Sequence, residues 1–267
     1  MLHEVKRDAG VIAVEVTGEG PLVVCVPGMG ESRASFRHVV PGLVDAGYRA
    51  AAMDLRGHGD SSAGFEAYDD PAAASDLLAV IDELGGPAAV VGNSMGAAAA
   101  VLAAAQRPDA VRQLVLIGPF VRDHGSPASR LLMRLLLARP WGPTVWRGHH
   151  GWLFGEQRPA DHDAQVAATL ALLRRPARWR AFQATARTSH APATAALPAV
   201  AAPTLVIMGD RDRDFPDPRG EAEWVARSLR GEYRMVAGAG HYPMAEQPAA
   251  VLDATLPFLA DDEVRHG

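Results

Sequence analysis

The sequence predicts an α/β protein in which a mostly parallel sheet, flanked by helices, is interrupted once by a helical insert. Three observations carry that expectation. Short β-branched runs alternate with alanine-rich amphipathic stretches along the first 120 residues, the order that parallel strands joined by helices require. The strand candidates from residue 22 onward are apolar throughout, as strands covered on both faces should be. From 121 to 197 the alternation stops, and the chain becomes helical and richer in arginine. That stretch holds Trp141, Trp146, Trp152 and Trp179 before strand-like runs resume. The expected division is a core of residues 1–120 and 198–267 with an insert at 121–197.

Taken in order, the strands are expected at 11–16, 22–26, 48–53, 88–92 and 114–117. Between them, apolar residues at helical spacing suggest helices over 35–46, 72–84 and 95–106, the last being the run AAAAVLAAAQ and its start. Beyond the insert, strands at 204–208 and 233–236 bracket a helix at 219–229, and a closing helix falls at 249–259. No internal repeat is visible, and the alanine enrichment reads as compositional bias.

A chain of 267 residues that is 48% hydrophobic can bury a large core. Its 26 Lys+Arg against 31 Asp+Glu give a net charge of −5 with no long run of either sign, which argues against a nucleic-acid surface. With Cys25 as the single cysteine, neither an internal disulfide nor a thiolate metal cluster can form. No H-E-x-x-H spacing, P-loop or G-x-G-x-x-G turn is present, so neither a metal nor a cofactor is expected. The start MLHEVKRDAGVIAVEV carries acidic residues where a signal peptide needs a basic start, and no apolar stretch reaches about 20 residues. The expectation is a cytoplasmic protein without membrane insertion whose partner is a small molecule. The oligomeric state is left open.

The chemistry centres on one turn. The apolar run at 88–91 leads into Gly92-Asn93-Ser94-Met95-Gly96 and then directly into a helix, giving strand, tight turn and helix. A serine on such a bend needs glycines two positions either side to let strand and helix pass, and its hydroxyl then stands at the C-terminal edge of the sheet. Ser94 is the candidate nucleophile. The alternative role for it is a helix N-cap. A nucleophilic serine needs a base, and Gly238-Ala239-Gly240-His241-Tyr242-Pro243 sets His241 on a glycine-flexed loop after the last strand, at the same sheet edge. The base needs a carboxylate, and three compete after the strand at 204–208, in Gly209-Asp210-Arg211-Asp212-Arg213-Asp214. The Gly-x-x-Asp spacing selects Asp212, leaving Asp210 and Asp214 as turn or surface carboxylates and Asp123 as the other position. Pro27-Gly28-Met29-Gly30 could turn the Met29 amide inward to meet the Met95 amide over Ser94, making two oxyanion donors.

Together with Asp54-Leu55-Arg56-Gly57-His58-Gly59-Asp60-Ser61 and Phe215-Pro216, these motifs resemble the α/β-hydrolase superfamily over nearly the whole chain except the insert. The resemblance implies an α/β-hydrolase fold with a helical cap at 121–197. It gives catalytic roles to Ser94, Asp212 and His241, oxyanion roles to the Met29 and Met95 amides, and a structural role to the turn holding His58. Pro27 departs from the pattern, because many relatives have histidine there. Relatives that dehalogenate alkyl halides or open epoxides use a carboxylate at the elbow, so Ser94 argues against both activities.

The expected function is therefore that of a serine hydrolase, carboxylesterase-like, cleaving an ester or related acyl bond of a small, largely apolar substrate through an acyl-enzyme. The elbow also resembles that of C–C bond hydrolases acting on vinylogous diketones, and a noncatalytic small-molecule receptor is the third reading. Within the insert, Leu131, Leu132, Met133, Leu135, Leu136, Leu137 and the tryptophans Trp141, Trp146 and Trp152 are candidate walls of an apolar pocket. Seating the insert on the core is the alternative. Arg174, Arg175, Arg178 and Arg180 read as a solvated helix face, with contact to an anionic substrate as the alternative.

Overall fold

The computed structural model describes residues 1–125 and 127–266. Among them, eight strands form one sheet: β1 Leu2–Arg7, β2 Gly10–Thr17, β3 Leu22–Val26, β4 Arg49–Met53, β5 Ala88–Asn93, β6 Val111–Ile117, β7 Thr204–Gly209 and β8 Glu232–Val236. Their spatial order is β1-β2-β4-β3-β5-β6-β7-β8. β1 and β4 both run antiparallel to β2, and every other pairing is parallel. Strand β1 is the one the sequence reading passed over. It is an edge strand, LHEVKR, that buries only Val5, so it offers charge where a central strand offers an apolar run.

The helices are α1 Val40–Asp45, α2 Asp70–Glu83, α3 Met95–Gln106, α4 Pro127–Leu136, α5 Gly142–Trp152, α6 His162–Leu173, α7 Pro176–Thr185, α8 Ala191–Ala196, α9 Pro218–Ser228, α10 Pro243–Glu246 and α11 Pro248–His266. Expectation and structure part at 35–46, where a single 3₁₀ turn, Arg33–Phe36, precedes a short α1. Pro41 sits in the first turn of α1, where it starts a helix well but cannot continue one. Aspartate caps set two of the other starts: Asp69 accepts from the Ala72 amide at 3.0 Å, and Asp217 from that of Gly220 at 3.0 Å.

The two faces of the sheet are read directly off β3. Leu22, Val24 and Val26 point into one apolar cluster with α2, α3 and α9, whereas Val23 and Cys25 point into another with α1, α10 and α11. Burial in that second cluster pushes the Cys25 thiol up to about 12, so it stays protonated and serves as a small core residue. Helices α4 to α8 lie between β6 and β7. Leu137, Trp146, Leu170, Leu173, Trp179 and Phe182 give α4 to α7 a buried cluster of their own, while Ala193 of α8 joins the core beside α3. Among the described residues no helix is long and apolar enough to cross a membrane.

Candidate active site

The loops that follow β3, β5, β7 and β8 meet at the C-terminal edge of the sheet, where open α/β sheets bind ligands. Ser94 joins β5 to α3 at φ 56° and ψ −121°, a left-handed backbone that a non-glycine residue holds only under constraint. The close packing supplies that constraint. A Cβ on Gly92 would lie 2.6 Å from the Gly96 carbonyl oxygen, and one on Gly96 would lie 2.3 Å from that of Val26. The Ser94 amide is tied to the Ile117 carbonyl at 2.9 Å, and its own carbonyl accepts from Ala97 at 3.0 Å.

His241 is 2% exposed, and its Nδ1 donates to Asp212 Oδ2 at 2.7 Å. Asp212 is likewise 2% exposed. Because a carboxylate only accepts, the neutral ring keeps its proton on Nδ1 and leaves Nε2 as the acceptor. Burial works against the imidazolium, but the charge and hydrogen bond of Asp212, with Asp214 and Glu246 beyond it, outweigh that and raise the His241 pKa to about 9. Asp214 lies 3.9 Å from His241 Nε2 and 3.7 Å from His149 Nε2. It is therefore a half-buried wall of the site and not a surface carboxylate, and burial raises its carboxyl above the usual range. Asp210 instead accepts from the Gly238 amide at 2.7 Å, and Asp123 accepts from Ser189 at 2.7 Å and from the His190 amide at 2.8 Å.

Ser94, His241 and Asp214 line one cavity of about 130 Å³ together with Met29 and Met95. The backbone amides of Met29 and Met95 have no acceptor among the described residues. Trp146 roofs this loop. Gly30, at φ 78°, leaves no room for a Cβ, which would stand 2.3 Å from the indole. Such a set can pass a serine proton to an imidazole held by a carboxylate, with two amides free to receive developing negative charge. Asp212, Asp214 and His241 also bring one ligand atom each within 4.8 Å of one another, but a cation on Nδ1 would have to displace the Asp212 hydrogen bond.

The structure corrects several pocket assignments. Trp146 lines the cavity, but Trp141 and Trp152 are 53% and 48% exposed and lie outside it. Trp141 spends its indole N–H on the Leu135 carbonyl at 2.8 Å, and Trp152 stacks on the outer side of His149 at 5.7 Å. Leu131, Leu132, Leu135 and Leu136 face outward as well, because one face of α4 carries them while Met133 and Leu137 pack inward. Arg178 reaches the Ser61 carbonyl at 2.9 Å, and Arg174, Arg175 and Arg180 are exposed. His58 is fully buried outside the cavity. Its Nδ1 donates to the Arg56 carbonyl at 3.0 Å, and burial lowers its pKa to about 4. His149, Thr185, Thr188 and His190 add polar groups to a cavity wall that also carries Met29, Met95, Phe120, Trp146 and Leu153.

Residues 23–254 match the family model described as the alpha/beta hydrolase family. The chain belongs to that family. Epoxide hydrolase B of Mycobacterium tuberculosis (strain ATCC 25618 / H37Rv) is 35% identical over 152 residues, covering 56% of this chain and 37% of the relative. The chain thus matches little more than a third of that protein's length. Pimeloyl-[acyl-carrier protein] methyl ester esterase of Xanthomonas oryzae pv. oryzae (strain MAFF 311018) is 30% identical over 260 residues, covering 92% of this chain and 98% of the relative. A thermophilic esterase from Thermogutta terrifontis superposes with a TM-score of 0.82 at 26% identity, covering 98% of this chain and 99% of that one.

In this alpha/beta hydrolase family chain, two positioning residues escaped the sequence reading. Asn93 Nδ2 donates to the Ile117 carbonyl at 3.0 Å and to the His241 carbonyl at 3.2 Å, tying the elbow to the histidine loop. Glu246 accepts from the amides of Gly240, Tyr242 and Gly155 at 3.0, 3.2 and 2.7 Å, clamping that loop to the insert. Asn93 stood inside the quoted elbow, so its place was visible and its bonds were not. Glu246, ahead of the closing helix expected at 249–259, carries no local signal of the three amides it gathers.

Proposed function

We propose that the protein is a serine hydrolase that cleaves an ester or related acyl bond of a small substrate through an acyl-enzyme, with α4 to α7 acting as a cap over the site. The observation that carries this reading is the buried 2.7 Å Asp212–His241 pair facing the same cavity as a constrained Ser94. Ser94 attacks the acyl carbon and His241 Nε2 takes its proton. The Met29 and Met95 amides hold the oxyanion, and His241 returns the proton to the leaving group. Water activated by the same imidazole then frees the acid. The Xanthomonas esterase and the Thermogutta esterase support ester cleavage. The epoxide hydrolase relative favours a different bond, but the hydroxyl at the elbow supports acyl transfer. A cavity of about 130 Å³ supports a small substrate, and a wall that sets Met29, Phe120, Trp146 and Leu153 beside His149, Thr185, Thr188 and His190 suits one that is largely apolar with a polar part.

A fluorophosphonate should label Ser94, and a panel of aryl esters, run beside a chromogenic vinylogous diketone and a styrene-type epoxide, should be turned over selectively. Turnover of the diketone or epoxide alone would replace the ester reading, and labelling elsewhere with Ser94 unmodified would refute it.

Two further outcomes follow from the geometry. The base works only as the neutral imidazole, so kcat/KM should rise with pH toward a limb near the raised pKa of about 9. Asp212, Asp214, Glu246 and His149 titrate around it, and Tyr242, whose ring meets it edge-on, is held neutral by burial. Asp214→Asn removes an anion that stabilises the imidazolium, so the limb should move to lower pH. An unmoved or upward-shifted limb would contradict the assignment. For the pocket, Trp146→Phe opens space beside Gly30 and should shift the acyl-length optimum toward longer esters, each buried methylene adding about 0.8 kcal/mol. Trp141→Ala should leave the profile as it is, because that ring lies outside the cavity.

A further inference from the structure

A second imidazole in the cavity is built like the first. His190 lies just ahead of α8, where the insert returns to the core, and its Nδ1 donates to Asp70 Oδ2 at 2.7 Å, the same length as the His241–Asp212 bond. Asp70, in the first turn of α2, is 0% exposed, a placement that costs free energy unless the carboxylate is partnered. The ring is one wall of the cavity, and Phe120 stands between the two histidines, its centroid 5.7 Å from each.

With Nδ1 spent on a group that only accepts, Nε2 of the neutral ring presents a lone pair, and it has no partner among the described residues. Beside it, Thr188 Oγ1 accepts from the Asp70 amide at 3.3 Å, so the hydroxyl proton of Thr188 is free to be donated. An acceptor and a donor, both anchored on Asp70, therefore line the same cavity, with Phe120 between His190 and His241. A hydroxyl group, which both donates and accepts, satisfies both.

We propose that His190, oriented by Asp70 and assisted by Thr188, is a binding station for a hydroxyl group on the substrate. The proposal deepens the hydrolase reading and rests on it for the reacting centre at Ser94. A tie that only fastened the insert to α2 would need the Nδ1 bond alone and would make no distinction among substrates. A site built to hydrogen-bond a hydroxyl discriminates strongly against the analogue lacking it, because its own polar groups are then left unpaired.

The test is a series of p-nitrophenyl esters whose acyl chains end in a hydroxyl, each paired with its methyl-ended isostere, and a second series with the hydroxyl on the alcohol portion. The parent protein should prefer the hydroxyl-bearing member of at least one pair by about tenfold in kcat/KM. His190→Phe keeps a ring packed on Phe120 and should bring that ratio close to one. A purely structural role would lower both members together and leave the ratio intact. A ratio near one throughout both series in the parent, or a preference that survives in His190→Phe, would overturn the proposal. If no ester is hydrolysed and Ser94 resists phosphonate, the hydrolase reading fails separately. The same unreacted pairs are then titrated calorimetrically, and equal affinities for the two members would overturn the hydroxyl station by itself.

Discussion

Ser94→Ala is expected to lower kcat/KM by about 10⁴-fold or more while leaving the melting temperature within a few degrees of the parent. The activity loss follows from the chemistry proposed above, in which the Ser94 hydroxyl attacks while Asp212 holds the base. The stability expectation has a separate origin. The Ser94 side chain makes no hydrogen bond among the described residues, so deleting its oxygen orphans no partner. Alanine bears the φ 56° backbone at about the same cost as serine. Ser94→Gly extends the argument, because glycine adopts that backbone freely and should stabilise the fold by about 1 kcal/mol while being equally inactive. A protein that gains stability by losing its serine holds that serine for chemistry. Residual turnover within about tenfold of the parent, or a Ser94→Gly variant that melts well below it, would remove the basis for this reading.

What the sequence made legible was whatever rests on local pattern. Strands β3 to β7 announce themselves because each carries an apolar run buried on both faces, whereas β8, at the far edge with the sequence EYRMV, buries only Val236 and is marked by its position after the helix at 219–229. The elbow announces itself because the clash geometry at Gly92 and Gly96 leaves only glycine at those positions. Strand β1 was hidden because an edge strand carries charge, and α1 was overdrawn because apolar spacing outvoted Pro41. The site divided along the same line. Ser94, Asp212 and His241 each sit at a fixed offset from a strand end, so spacing alone located them. The cavity wall is assembled from α5, α7 and the neck before α8, where Trp146, Thr185 and His190 become neighbours only through tertiary packing. Counting tryptophans therefore found one lining residue and two surface ones, since composition cannot tell the inward face of α5 from the outward one.

Among the carboxylates near the site, Asp212→Asn is expected to be the most damaging, lowering kcat by about 10³-fold to 10⁴-fold. An asparagine at that position can donate its amide to Nδ1. The ring then carries its proton on Nε2, where it cannot accept one from Ser94. The other three carboxylates are held by different partners, and that is what makes the comparison decisive. Asp210 spends an oxygen on the Gly238 amide in an exposed turn, so its asparagine variant should stay within about threefold of the parent. Asp123 joins the two ends of the insert through Ser189 and His190, so Asp123→Asn should register as a lower melting temperature before it registers in kcat. Asp214 approaches the opposite nitrogen of His241 at 3.9 Å without holding Nδ1, so its variant should shift the pH profile and keep most of the maximal rate. Only the Asp212 variant loses the tautomer, and its deficit should therefore persist at every pH, whereas Asp214→Asn, with its limb at lower pH, should match or exceed the parent below about pH 9 and run close to it where both imidazoles are neutral. A pH-independent loss in Asp214→Asn, with Asp212→Asn near the parent, would reassign the orienting carboxylate.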